Sequence, residues 1–165
     1  MSTWEFQRLQ HVAEKNGWHK FISMQNFYNL IYREEEREMI PFCKETGVGL
    51  IPWSPIARGM LARPYGSEKT ARLESDRILS TIFAPSLKEA DKEVTDRVEE
   101  VAKKKGVAMA QVATAWVLKK GTCPIVGMSS IERIDAAVAA LGVDLTEEDC
   151  KYLEAPYLPK PVWGH

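Results

Sequence analysis

The sequence predicts an α/β protein with a parallel sheet covered by helices, and two observations carry that class. Three short apolar runs bounded by turn residues read as strands: Phe21–Met24 (FISM), Val48–Trp53 (VGLIPW) and Cys123–Met128 (CPIVGM). Helical patterns lie around and between them, and a crossover between parallel strands needs roughly a dozen residues or more. Strands alternating with helices therefore predict a parallel arrangement.

Each element has its own signal. Phe6, Leu9, Val12 and Ala13 form one apolar stripe that ends near Asn16-Gly17, so a helix opens the chain. Arg33 to Gly47 places its acids in the first half and closes on Gly47, as the helix dipole favours, with a kink expected at Pro41. Residues 62–85 lack a clean period and read as a long loop. Val94, Val98 and Val101 then stripe a helix running from Ser86 to Lys103-Lys104-Lys105, whose lysines read as a C-terminus meeting the dipole. Ala108 to Gly121 is apolar almost all round, which predicts burial on most faces. Ser129 to Leu141 sets Ile131, Ile134, Val138 and Leu141 on one face. Capping boxes at Ser86/Glu89, Ser129/Glu132 and Thr146/Asp149 mark helix starts. The Pro-rich tail, residues 156–165, reads as an irregular surface segment.

Composition limits the function. With 22 Lys and Arg against 23 Asp and Glu the formal charge is −1, so there is no electrostatic footprint for nucleic acid or an anionic membrane. Cys43, Cys123 and Cys150 lie far apart without a CxxC spacing, which argues against zinc and against a disulfide framework and suits a reducing compartment. No metal site is expected. No window approaches the ~18 apolar residues of a membrane helix, and the N-terminus lacks an apolar signal core. The expectation is one cytoplasmic domain spanning residues 1–165.

The stretch Gly49 to Leu61 (GLIPWSPIARGML) begins as a strand, but Pro52 and Pro55 must end it, leaving Trp53 and Ser54 at its mouth. In parallel α/β folds ligands gather at the carboxyl ends of the strands, where Trp53, Ser54 and Ser129 would lie. Phosphate-loop patterns offer no rival: Gly47-Val48-Gly49 precedes its strand instead of following it.

Three motifs in order, ISMQNFYN, GVGLIPWSPIARGML and CPIVGMSSIERIDAAV, resemble the C-terminal half of the aldo-keto reductases, most closely the aryl-alcohol dehydrogenase-like branch. The resemblance covers about residues 4–155 and implies roughly the last three βα units of a (β/α)8 TIM barrel, an incomplete barrel that binds NADP(H). It assigns Gln25 to the nicotinamide carboxamide and Trp53 to stacking on the nicotinamide ring. Ser54, Pro55, Ile56, Ala57 and Arg58 match the loop that wraps the pyrophosphate with backbone donors and a hydroxyl. Gly127, Ser129 and Arg133 match the site of the adenosine 2′-phosphate. A helix N-terminus with a guanidinium is a sound anion receptor. The family's adenine-contacting asparagine is Ala137 here, and the acidic residue before it is Ala136.

Outside that resemblance, Trp53 reads as a core aromatic, Gln25 as a surface or satisfied amide and Arg133 as a solvated helix residue. The family's catalytic Asp, Tyr, Lys and His have no matching positions, so no catalytic residue is assigned. His11, His19 and His165 read as surface or terminal residues, and Tyr28 and Tyr32 as packing residues. A barrel of this kind needs on the order of 250 residues, and three parallel strands leave open edges. The chain is thus expected to be a truncated reading frame starting at an internal methionine, or a fragment needing a partner for its sheet. Two functions compete: the NADP(H)-binding half of a reductase of aldehydes and ketones, or of an aryl-alcohol oxidant, and an inactive remnant that only binds cofactor or assembles.

Overall fold

Residues 1–67 and 88–163 are described by the computed structural model. The Ser86/Glu89 capping box, most of the expected 62–85 loop and His165 lie outside the described residues. Helix α1 (Thr3–Lys15) starts where the Glu5 carboxylate accepts from both the N–H and the hydroxyl of Ser2, each at 2.9 Å. Only part of its apolar stripe is sheltered: Phe6 and Ala13 are buried, whereas Leu9 and Val12 are exposed.

The three expected strands lie side by side and parallel. Strand β1 (Ser23–Met24) pairs with β2 (Gly49–Leu50) in the register Ser23 to Gly49 and Met24 to Leu50. The Cys123 run lies on the other side of β2: the N–H groups of Cys123 and Ile125 donate to the Leu50 and Pro52 carbonyls, each at 2.8 Å. Regular pairing is shorter than the apolar runs suggested. Pro52 has no N–H to give to the third strand, where pairing falls to a bridge at Trp53–Ile125, and the first two strands meet again only at Phe27–Trp53.

The expected kinked helix over Arg33 to Gly47 is instead two pieces, a 3₁₀ turn (Glu34–Glu36) and α2 (Met39–Thr46). Pro41 sits in the first turn of α2, where its missing N–H costs nothing, so the break comes before the proline. Gly47 closes α2 at φ 72°, a conformation that favours glycine. A 3₁₀ segment (Ala57–Ala62) follows β2, so Ala62 belongs to it and not to a loop. Helices α3 (Lys88–Lys105) and α4 (Met109–Lys119) come next, then α5 (Ile131–Ala139) with a 3₁₀ turn (Ala140–Gly142), and α6 (Glu147–Glu154). Ser130, not Ser129, caps α5, accepting from the Arg133 N–H at 3.4 Å. Thr146 and Asp149 form the expected reciprocal box on α6, each bond 3.1 Å.

Helix α4 is buried on most faces, as its composition dictates. Val112, Trp116 and Val117 have no exposed surface and pack with Leu30, Ile31, Leu61, Val98 and Leu153 into one core. Trp116 keeps its indole N–H satisfied on Glu154 Oε1 at 2.8 Å. Met24 and Leu50 face this core. By strand alternation Gln25, Gly49, Cys123 and Ile125 face the opposite way, and all four are exposed. Parallel sheets are ordinarily covered on both faces, and here the described residues leave much of one face uncovered.

A further difference follows from that openness. The α5 face expected to bury Ile131, Ile134, Val138 and Leu141 stays exposed, because the described residues leave nothing opposite it. Of the thiols, Cys43 and Cys150 are buried and Cys123 is exposed. The tail has no regular structure through residue 163, but it is not simply superficial: Lys160 is 5% exposed.

Truncating the core indole, Trp116→Ala, is expected to cost about 3–5 kcal/mol in urea unfolding. The Asp149 carboxyl is held down at about 2 by the Lys105 ammonium and by the Thr146 cap, against an ordinary 3.8. Because the folded value is the lower one, its stabilisation is present above pH 3.8 and is lost as pH falls toward 2. Lys105→Met should flatten that acid limb of a stability-against-pH curve.

Candidate functional site

The candidate site is built on the carboxyl ends of the three strands. The Trp53 N–H donates to the Asn26 carbonyl at 2.9 Å, one residue past Gln25, and Trp53 bridges onward to Ile125, two residues short of Gly127. Partners across a parallel ladder share a face. Gln25, Trp53 and Gly127 therefore share the uncovered face, at one end of the sheet.

Trp53 is half-buried and held from the side. Phe27 lies 4.5 Å from its ring centroid at 36°, and Tyr32 lies 4.8 Å from Phe27. Trp163 adds a third ring, 5.9 Å from Trp53 and 6.1 Å from Phe27. Such tilted aromatic contacts contribute about 0.5–1.5 kcal/mol each beyond burial. Gln25 is exposed, with an amide that can both donate and accept.

Beyond Trp53 the backbone turns tightly. Ser54, Ala57 and Arg58 all have positive φ, at 57°, 48° and 57°, which is unusual for side-chain-bearing residues and costs on the order of 1–3 kcal/mol each. The reversal is held internally: the Ala57 N–H donates to the Ser54 carbonyl, the Gly59 N–H to the Ile56 carbonyl, both at 2.9 Å. Asn29 Nδ2 also donates to the Ser54 carbonyl at 3.2 Å. Pro55 and Ala57 are buried, while Ser54, Ile56 and Arg58 are partly exposed. The Ala57 N–H is thus spent within the loop.

At the third strand's exit, Arg133 Nη1 donates to Ser129 Oγ at 3.0 Å, on the first turn of α5. Both are exposed, so a hydroxyl, a guanidinium and a helix N-terminus converge on open solvent. Glu132, on the same turn, is held below the ordinary carboxylate range by the Ser130 hydroxyl and weakens the positive field there. Gly127 has nothing within 4 Å of where a Cβ would stand, so packing within the chain does not call for glycine there.

The neighbouring tyrosines are engaged. Tyr28 donates to Glu36 at 2.5 Å, and burial followed by that carboxylate pushes its hydroxyl far up. Burial also raises Tyr32, whose hydroxyl accepts the Trp163 N–H at 2.9 Å. His11 and His19 are exposed, on α1 and on the segment leading into β1. Among the described residues no group of three His, Cys, Asp or Glu could hold a metal ion, and no helix is long and apolar enough to cross a membrane. Phe27 and Trp163 were missed at the level of sequence. Phe27 could have been found, since it falls two residues past Gln25 on the same strand face; Trp163 lies in a proline-rich tail with no period to betray it.

A family model described as the Aldo/keto reductase family matches residues 1–157. The chain is 57% identical over 163 residues to versiconal hemiacetal acetate reductase of Aspergillus parasiticus, covering 98% of this chain and 48% of that protein. It is 55% identical over 166 residues to a Schizosaccharomyces pombe protein whose name assigns it to the aryl-alcohol dehydrogenases, covering 99% of this chain and 46% of the relative. A crystal structure of a thermostable aldo-keto reductase with the inhibitor epalrestat superposes with a TM-score of 0.62 at 24% identity, over 91% of this chain and 44% of that one. The chain spans about half the length of the curated relatives it matches.

Proposed function

The chain belongs to the aldo-keto reductase family, and from that premise we propose that it is the NADP(H)-holding part of an incomplete (β/α)8 TIM barrel whose whole reduces aldehydes and ketones or oxidises aryl alcohols. One observation carries this reading: Gln25, Trp53 and Gly127 share one face at the strand ends, with Ser129 and Arg133 just beyond. In the proposal residues 1–165 act as one unit.

The residues present fit a phosphorylated dinucleotide. Trp53 offers a rigid aromatic floor for the nicotinamide ring, with Gln25 beside it to donate to and accept from the carboxamide. Ser54 to Arg58, including Pro55, Ile56 and Ala57, form the bend over which a pyrophosphate would lie. The Ser129 hydroxyl and Arg133 guanidinium suit a 2′-phosphate, which favours NADP(H) over NAD(H). When bound, the cofactor supplies the hydride of carbonyl reduction. This chain's residues orient it and shield one of its faces.

A second reading, cofactor binding or assembly without turnover, draws support from Tyr28 and Tyr32. Both hydroxyls are buried, engaged and raised, so neither is suited to protonate a carbonyl oxygen. The exposed apolar side chains Phe21, Ile22, Ile131 and Leu141 support contact with a second copy or with the rest of a barrel. The free cysteines suit our placement in the cytoplasm.

NADPH titrated into the protein is expected to quench tryptophan emission, with Arg133→Met weakening NADPH about tenfold and NADH far less. Equal losses for both dinucleotides would remove the 2′-phosphate assignment, and no binding would remove the cofactor reading. Turnover of an aryl aldehyde once the rest of the barrel is supplied decides for the first function, whereas turnover by this chain alone would show that a proton donor lies within it. Light scattering should give a mass that rises with concentration, and Ile134→Glu with Leu141→Glu should lower it.

A further inference from the structure

The irregular tail is fastened at four points, more than a loose terminus needs. Tyr157 donates its hydroxyl proton to Glu34 Oε1 at 2.5 Å and accepts from the Arg33 N–H at 2.9 Å. The Lys160 N–H donates to the same Glu34 oxygen at 2.7 Å. Its ammonium lies 2.6 and 2.7 Å from the two Asp91 oxygens on α3, with side chains only 1% and 6% exposed. Three residues later the Trp163 N–H donates to Tyr32, and its indole meets Trp53 and Phe27.

A sequestered ion pair is a poor source of stability, because removing both charges from water offsets most of their attraction. Its contribution is to fix one geometry. Lys160 has a long stem with many rotamers, and Asp91 accepts it through both oxygens, which sets the height and register of the chain that follows. Trp163 is then delivered against the edge of the cluster that already holds Trp53 through Phe27.

We infer that the tail is a charge-clamped strap that seats Trp163 as a positioning residue for Trp53, so that the aromatic floor stays in one orientation before any ligand arrives. The functional half of this inference rests on the cofactor reading above; the structural half does not. A floor fixed in advance loses less side-chain freedom on binding, an advantage of about three- to tenfold in affinity for one immobilised side chain.

The test compares wild type with Trp163→Phe, Trp163→Ala and the neutral pair Asp91→Asn/Lys160→Met, reading near-ultraviolet circular dichroism and NADPH affinity, with a far-ultraviolet melt to separate global unfolding. Wild type should show a coupled-indole signal that Trp53→Phe also removes. Trp163→Ala and the neutral pair should lose that signal and weaken NADPH about three- to tenfold. Trp163→Phe should lose the indole signal but keep most of the affinity. Unchanged dichroism in the alanine variant and the neutral pair overturns the strap, and unchanged affinity in those two variants despite a lost signal overturns the positioning role. If wild type binds no NADPH, the cofactor reading fails and the positioning role with it, while the dichroism still decides the strap.

Discussion

Backbone hydrogen bonds between neighbouring strands hold the arrangement together. Gly49 to Ile22, Ile51 to Met24 and Trp53 to Asn26 tie the second strand to the first, and Cys123 to Leu50 and Ile125 to Pro52 tie the third to the second. Every residue of the candidate site is placed relative to those contacts. A slip of one residue in either pairing would turn Gln25 or Gly127 toward the helices and bring Met24 or Leu50 into water. The core prevents this: Leu50 is buried against a continuous cluster that runs through α4 to Leu153. The helices thus specify the register, and the register specifies the shelf.

The sheet's two faces set opposite demands. One is closed by Val112, Trp116 and their neighbours to native-like burial. The other shows Ile125 and Cys123 to solvent, while Ile131 on α5 and Leu141 on the 3₁₀ turn after it are each at least 70% exposed. Apolar residues in parallel strands are selected for cover on both sides, so the composition of this chain is that of a more enclosed molecule. The relatives, about twice as long, are consistent with that.

Much of this was legible from residue pattern. The strand positions, the buried character of α4 and the Thr146 cap follow from local rules, and the aldo-keto reductase resemblance was carried by short motifs in register. What failed did so for identifiable reasons. Pro41 reads as an interior kink because composition alone does not show that a helix starts two residues earlier. The α5 stripe has the period of a buried face, and period cannot say whether a partner is present. The Ser129 box was one residue early because Ser130 is an equally good cap. Trp163 joins Trp53 across more than a hundred residues of sequence, beyond the reach of any local signal.

The turn after Trp53 has a consequence for how this segment can vary. Three residues with side chains occupy left-handed backbone there, so branching at the β-carbon is strongly disfavoured at Ser54, Ala57 and Arg58 on steric grounds alone. Glycine would relax the distortion but would also let the bend wander. The tolerated alphabet at this corner is therefore confined to small or unbranched residues, whatever molecule the corner serves.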